Sequence, residues 1–467
     1  MFRDKDKNRE IIFGAYRKLK SYYYYEKKLL YNKCKLSAWE ESEENMGISV
    51  NNLADFMCSL YKEPDEDYLE SLLNKVKMRI LPKAFAPVNG NTKQVISNEK
   101  FLKLLDKVNY FIDAPVELMI LDIIWVLSIG KIIHDKDIFD KTILGNILDT
   151  HLIFDDSSYD LIDGIRYDNR NCFKPYFNEY RRWKDDAFNI MQSRYNEQKD
   201  SVFIKIDIKD YYYSVKFNFA SLDKRLNDDR LELVKPIQNI IEKLFLKYTK
   251  EIEIYRNDIV ADCEQDECIL PIGLLSSYLI GNLYLLDFDK DIQRNLNPLY
   301  YARYVDDIIL VTRKTNMMSI NIDSVLSETL VNEGILSIED NETYRIKNIE
   351  NLKIKKKKIK IIHINNGDSN AMIELLVSKA KIDASEYRLL PDVFESINTF
   401  YDSAYQLGSN LTNVKLDDLL FTNDKNNAAR YLKNFIRVIK TSILKRIIQL
   451  SKIELTKYFV FITDTKA

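Results

Sequence analysis

The 467-residue chain is poor in the residues that build metal and redox centres: it has five cysteines, Cys34, Cys58, Cys172, Cys263 and Cys268, and three histidines. The cysteine number is odd and no two stand at a Cys-x-x-Cys spacing, so neither a zinc site nor a disulfide framework is expected. So few thiols fit a reducing, cytoplasmic setting. Net charge is also lacking. Sixty-nine Lys and Arg against 71 Asp and Glu leave −2, so global charge neither favours nor excludes a nucleic-acid partner, and any basic surface must be local. The opening residues, Met-Phe-Arg-Asp-Lys-Asp-Lys, are charged with no apolar core behind them, unlike a secretory signal. A membrane-length hydrophobic run is missing too. The most apolar stretch, Ala114 to Ile133, is interrupted by Glu117 and Asp122, short of the roughly 20 clean residues a span requires. It reads as a buried helix, and no membrane partner is expected. There is no internal repeat and no long low-complexity tail.

What is present is enough apolar content, 46%, to fill the cores of two or three domains. Apolar positions at helical spacing (Ile12, Tyr16, Leu19, Tyr23) predict a helical opening from Arg9 to about Glu41. Pro82, Pro87 and Gly90 mark a loop from about Leu81 to Asn98, and a second helical block is expected from about Glu99 to Ile133. The Asp- and Asn-rich stretch from Asp149 to Arg170 reads as a mobile loop, and Tyr180 to Tyr195 as a helix. Ser201 to Ile208 alternates like a strand, Ile308 to Val311 is strand-like, and so is the lysine run Lys353 to Lys360. Beyond Lys379 two helical stripes follow, Phe394/Ile397/Tyr401/Ala404/Tyr405 and Leu432/Phe435/Ile436/Ile439/Ile443. The chain thus divides into an N-terminal helical segment, residues 1–98, a mixed α+β centre, 99–378, and a helical C-terminal region, 379–467.

Two segments carry chemistry. Ser201 to Val215 delivers Asp207 at the end of an apolar strand and then turns into Tyr211, Tyr212 and Tyr213. Tyr301 to Leu310 sets Asp306 and Asp307 between apolar residues, where a tight β-hairpin could display them. Carboxylates in apolar surroundings are costly unless a cation compensates them, which suggests metal. An Asp-Asp pair alone is unspecific, since Asp155–Asp156, Asp185–Asp186 and Asp417–Asp418 also occur. The combination is far more specific.

Asp207-Ile208-Lys209-Asp210-Tyr211-Tyr212 resembles the first palm motif of reverse transcriptases, and Tyr304-Val305-Asp306-Asp307 resembles their Tyr-x-Asp-Asp motif. Between them, Leu270-Pro271-Ile272-Gly273-Leu274-Leu275-Ser276-Ser277 resembles the family's Leu-Pro-Gln-Gly-x-x-x-Ser segment. Order and rough spacing agree. Ile272 replaces the usual glutamine and Tyr278 the usual proline; with Leu274 to Leu285 these departures look like the bacterial abortive-infection and defence-associated branch. The tyrosine cluster at Tyr22–Tyr25 and Phe173-Lys174-Pro175-Tyr176-Phe177 are softer matches to it. The motifs cover roughly residues 100 to 375.

The resemblance implies a right-hand polymerase, with fingers, an antiparallel palm sheet and a thumb-like helical end. Two Mg²⁺ ions, with Mn²⁺ as a substitute, would be held by Asp207, Asp306, Asp307 and the carbonyl of Ile208. It places Tyr212, beside Tyr211, at the sugar of an incoming dNTP, Gly273 close to the nascent base pair, and Pro271 and Ser277 toward the template. Lys357 or Lys358 would face the departing pyrophosphate, with Arg181 and Arg182 as further triphosphate contacts. Implied partners are dNTPs, an RNA template, a dedicated noncoding RNA among the candidates, and the cDNA product. Self-primed or untemplated synthesis in antiphage defence is a further implication, and a homo-oligomer is left open. No ribonuclease H, endonuclease or integrase pattern follows the palm, which suits a stand-alone polymerase. Two other readings remain. A viral-type RNA-dependent RNA polymerase would carry a second aspartate five positions after the first and Gly-Asp-Asp in the hairpin, where this chain has Tyr212 and Tyr304–Val305. A non-catalytic RNA-binding scaffold would not need all three carboxylates.

Overall fold

Four helices open the chain: α1 (Lys5–Tyr25), α2 (Leu30–Glu40), α3 (Glu43–Ser59) and α4 (Glu66–Leu73). Ile12, Tyr16, Leu19 and Tyr23 lie on the buried side of α1, as their spacing of three to four residues requires. This is a computed structural model, and it describes residues 2–25, 30–41, 43–85, 105–314 and 321–365. The chain divides into two compact units, Met1–Lys83 with Lys107–Ala384, and Ala84–Asp106 with Ser385–Ala467. The described residues fall almost entirely in the first. Both C-terminal helical stripes expected from the sequence lie outside the described residues.

A two-stranded sheet follows the helices, β1 (Lys77–Phe85) with β2 (Leu105–Asp113). Here the sequence expectation needs correction. Leu105–Asp113 is a strand, because Val108, Tyr110 and Ile112 alternate inward, and the helix starts only at α5 (Val116–Asp135), where Pro115 sets the cap. Apart from Glu117, α5 is buried from Val116 to Ile133, packed against α1, α10 (Leu231–Tyr255) and α12 (Ser276–Tyr284). A helix apolar all round belongs in a core. Among the described residues no helix is long and apolar enough to cross a membrane.

The stretch read as a loop at Asp149–Arg170 is instead tied down. It holds the short α6 (Thr150–Ile153) and a bridge from Phe154 to Ile165, and Ile153, Phe154, Leu161 and Ile165 are buried. Acidic residues between these apolar positions hid the pattern.

Next come α7 (Tyr176–Asn196), β3 (Ser201–Asp207), the short α8 (Tyr211–Ser214), α9 (Phe219–Leu226), α10, α11 (Asn257–Val260), α12 and α13 (Leu286–Asp291). Then follow β4 (Tyr300–Tyr304), β5 (Asp307–Arg313), α14 (Ile322–Leu326), β6 (Leu336–Asp340), β7 (Thr343–Ile346), β8 (Ile349–Lys355) and β9 (Lys360–Ile364). The fold is α+β. Its central sheet runs β4-β5-β3-β9, every neighbouring pair antiparallel. Val202, Ile204 and Ile206 of β3 enter the main core, while Phe203 joins a second core under α7 with Trp183, Ala187, Phe188 and Met191. Period-two alternation thus gives the sheet two packed faces. A smaller sheet, β6-β7-β8, completes the unit.

Candidate active site

The antiparallel register of β3 and β5 sets Asp207 directly opposite Asp307. Tyr304 pairs with the same Asp307 across β4 and β5, so the hairpin turns on two residues, Val305 and Asp306. Such a turn favours positive φ at its first position, and Val305 adopts φ 59°. For a β-branched residue this is a strained conformation, costing about 1–3 kcal/mol. The Ile208 amide donates to the Asp306 carbonyl at 3.4 Å, and the Lys209 amide to the Lys353 carbonyl at 2.9 Å. Sheet pairing therefore gathers all three acidic residues at one strand end.

Their electrostatics are those of a crowded anionic cluster. Asp306 is closely surrounded by protein while keeping some solvent contact, and burial, with Asp307 and Asp207 adjacent, pushes its carboxyl up to about 7. Lys358 donates to Asp207 Oδ1 at 2.5 Å and Lys205 pairs with Asp307 Oδ1 at 3.1 Å. Burial works against the Lys358 ammonium, but Asp207, with Asp306 and Asp210 beyond it, holds its pKa above the usual value. The Lys205 amine also lies 5.3 Å from the Trp183 ring centre, a cation–π distance.

Among the described residues no three acidic, imidazole or thiolate side chains have closed into a ready metal cage. The donor set nonetheless suits a hard divalent cation: three carboxylates, one of them with its pKa raised by burial and by the other two, and two amines already compensating the others. A cation there would offset both the burial and the neighbouring negative charges that lift Asp306.

Pro271 and Gly273 sit on the strand-like approach to α12. The Ile112 amide of β2 donates to the Ile272 carbonyl at 2.9 Å, and Gly273 has φ 114°, with any Cβ only 3.4 Å from the Ile112 carbonyl oxygen. Glycine is needed for that conformation. Ser277, expected at the template, is fully buried, and its hydroxyl donates to the Pro271 carbonyl at 2.7 Å. Asp122 of α5 accepts from the Leu275 amide at 2.7 Å and the Ser276 amide at 3.3 Å. Burial pushes its carboxyl up to about 6 and these hydrogen bonds pull it back. The acidic residue that interrupted the apolar run is thus the cap of α12.

Tyr211 and Tyr212 separate in role. Tyr211 is buried and its hydroxyl donates to the Gly281 carbonyl at 2.5 Å, which makes it a core anchor rather than a nucleotide contact. Tyr212 is half-buried, with its ring beside Tyr211 and Tyr278. Tyr278 in turn meets Tyr22 and Phe173. The lysine run forms the end of β8, a tight turn at Lys356–Lys358 and β9. Lys357 is exposed, whereas Lys358 reaches the aspartates. Arg181 and Arg182 lie on the exposed side of α7, where Arg182 pairs with Glu179 and Asp186. Sequence reasoning passed over Lys205 and Asp122 as working residues. Two places before Asp207 on an alternating strand, Lys205 must share its face, and that was the available signal.

No family model matches the chain. It is similar to retron Ec73 reverse transcriptase of Escherichia coli, 29% identical over 132 residues, which are 27% of this chain and 37% of that protein. The chain therefore matches little more than a third of the length of that relative.

Proposed function

We propose that this chain is an RNA-directed DNA polymerase. The observation that carries the reading is the meeting of Asp207, Asp306 and Asp307 at one end of an antiparallel sheet, where burial and the other two carboxylates raise the pKa of Asp306. The similarity to a retron reverse transcriptase supports it. Asp207, Asp306 and Asp307, with the Ile208 carbonyl, would hold Mg²⁺ or Mn²⁺, which when bound would supply charge stabilisation for a 3′-oxygen nucleophile and a leaving pyrophosphate.

The protein's own residues do the rest. Lys358 supplies an ammonium that compensates Asp207 in the resting site and is positioned to serve a phosphate oxygen. Tyr212 closes the floor beside the sugar and favours deoxynucleotides. Gly273 lets the backbone of the Pro271–Ser277 segment approach a base pair without a side chain between. Mixed matches to the defence-associated branch in Leu274 to Leu285 extend the reading to a role against phage, with a noncoding RNA or self-primed synthesis supplying the substrate end.

The test is extension of labelled primer–template, and of the protein alone, with Mg²⁺ and either dNTPs or NTPs. DNA synthesis that disappears in Asp306→Asn/Asp307→Asn, with the fold retained, is the expected result. Preference for NTPs would assign the chain to RNA-dependent RNA polymerases. Nucleic-acid binding with no synthesis under any of these conditions would make it a scaffold.

A further inference from the structure

Beneath the Val305–Asp306 turn lies a buried polar network that the proposed chemistry does not use. Arg303 is fully buried. Its Nε donates to both Asp289 oxygens at 2.8 and 2.9 Å, its Nη1 to Asn282 Oδ1 at 2.7 Å and to the Val305 carbonyl at 3.3 Å, and its Nη2 to the Asn282 carbonyl at 2.8 Å. Tyr301 donates its hydroxyl to the same Asp289 at 2.5 Å. Asn282 passes the connection on, its amide donating to the Gly145 carbonyl at 2.8 Å. Gly145 closes the circuit by direct contact: a Cβ there would stand 2.4 Å from the Val305 nitrogen.

A buried ion pair gives little net stability over a well-packed apolar pair, so fold stability alone does not account for a guanidinium with every donor nitrogen engaged at this place. The feature it does account for is local. Val305 is strained, and strained backbone persists only where its surroundings over-determine it. The network grips that turn from two sides, by a hydrogen bond to the Val305 carbonyl and by the bare Gly145 surface against the Val305 nitrogen.

We infer that Arg303, with Asn282 and Gly145, is a positioning device that fixes the Val305–Asp306 turn and thereby sets the affinity of the aspartate cluster for a divalent cation. The inference rests on the polymerase reading. Arg303 touches no reacting atom and acts through the turn.

The experiment measures Mn²⁺ binding to the full chain by electron paramagnetic resonance without nucleotide, alongside steady-state primer extension. Arg303→Lys keeps the charge but loses the planar fork. Gly145→Ala keeps every hydrogen-bonding group and presses on the same turn from outside. Both are expected to weaken Mn²⁺ binding about tenfold and to lower kcat about a hundredfold, with KM for dNTP and affinity for primer–template nearly unchanged. Near-UV circular dichroism monitors the folded fraction. Wild-type Mn²⁺ affinity in both variants, or a loss that only follows the folded fraction, overturns the inference. Asp306→Asn separates the two levels. If it binds Mn²⁺ as the wild type does, the metal-holding role of Asp306 fails and the inference falls with it. If it weakens binding while the two positioning variants do not, the polymerase reading stands and the inference alone is lost.

Discussion

Asp207 and Asp307 face each other directly across the β3–β5 ladder, and each is met by a lysine of its own, Lys358 and Lys205. Like charges directly opposite on a sheet destabilise it, and here two amines offset the repulsion at the end of a ladder whose register the buried apolar pairs fix. One amine comes from the turn between β8 and β9 and the other from β3 itself. The first is replaceable without touching the sheet, and that makes it the better probe.

Lys358→Ala is therefore expected to lower primer-extension turnover about a hundredfold, the usual loss for one donor aimed at developing charge. Lys357→Ala, one residue away on the exposed side of the same turn, should leave turnover essentially unchanged. Equal effects of the two in steady-state assays would show that the run acts as diffuse positive charge.

A second prediction concerns sugar choice. With Tyr211 anchored to Gly281 and Tyr212 half-buried beside Tyr278, the proposed sugar contact falls to the second ring. Tyr212→Ala should reduce the preference for dNTP over NTP, read as a ratio of kcat/KM values, by about tenfold or more. Tyr211→Phe should leave that ratio alone and cost about 1 kcal/mol of stability through the lost hydrogen bond. An unaltered ratio in Tyr212→Ala would remove the ring from the sugar site.

The acidic cluster predicts an unusual pH dependence for the metal-free protein. Burial and its two neighbours raise the Asp306 carboxyl from 3.8 to about 7. A carboxyl whose pKa is raised on folding contributes stability that is fully present below the unfolded value and is lost as pH rises through the folded one. In chelator, wild-type melting temperature should fall relative to Asp306→Asn as pH is raised from about 4 to about 7, and Mg²⁺ should reverse the difference at the upper end. Parallel melting curves of the two proteins across that window would contradict the assignment.

How much of this was legible in the sequence differs from residue to residue. Asp207, Asp306 and Asp307 could be read because strand alternation and hairpin spacing are local properties, and the sheet register then brings them together. The choice of Lys358 over Lys357 could not, because a tight turn at Lys356–Lys358 decides which amine points inward. β2 reads as helix in the sequence because its alternation is short and runs straight into the long apolar run of α5. The motif around Ser277 implies a template contact, but its hydroxyl's partner is the Pro271 carbonyl. Arg303 stands within the Tyr-Ala-Arg-Tyr-Val-Asp-Asp segment, yet its partners Asp289 and Asn282 come from two other helices. Long-range pairing of this kind leaves no period in the sequence.

Asp122 gives the last prediction, since it joins the apolar helix α5 to the segment that presents Gly273. It is buried, and its carboxylate accepts from the first amides of α12, Leu275 and Ser276. Removing it leaves two buried N–H groups without an acceptor, each costing about 1–3 kcal/mol. Asp122→Ala should therefore lower the urea midpoint strongly. Asp122→Asn, which keeps one carbonyl oxygen and carries no charge to bury, should lose much less. Because burial is what raises this carboxyl to about 6, the asparagine variant should also compare best with the wild type above that pH, where the buried carboxylate is ionised and its desolvation cost is complete. Urea titrations of the three proteins on either side of about pH 6 measure both effects. If alanine and asparagine proved equally damaging at both pH values, Asp122 would be filling space and the capping role would be refuted.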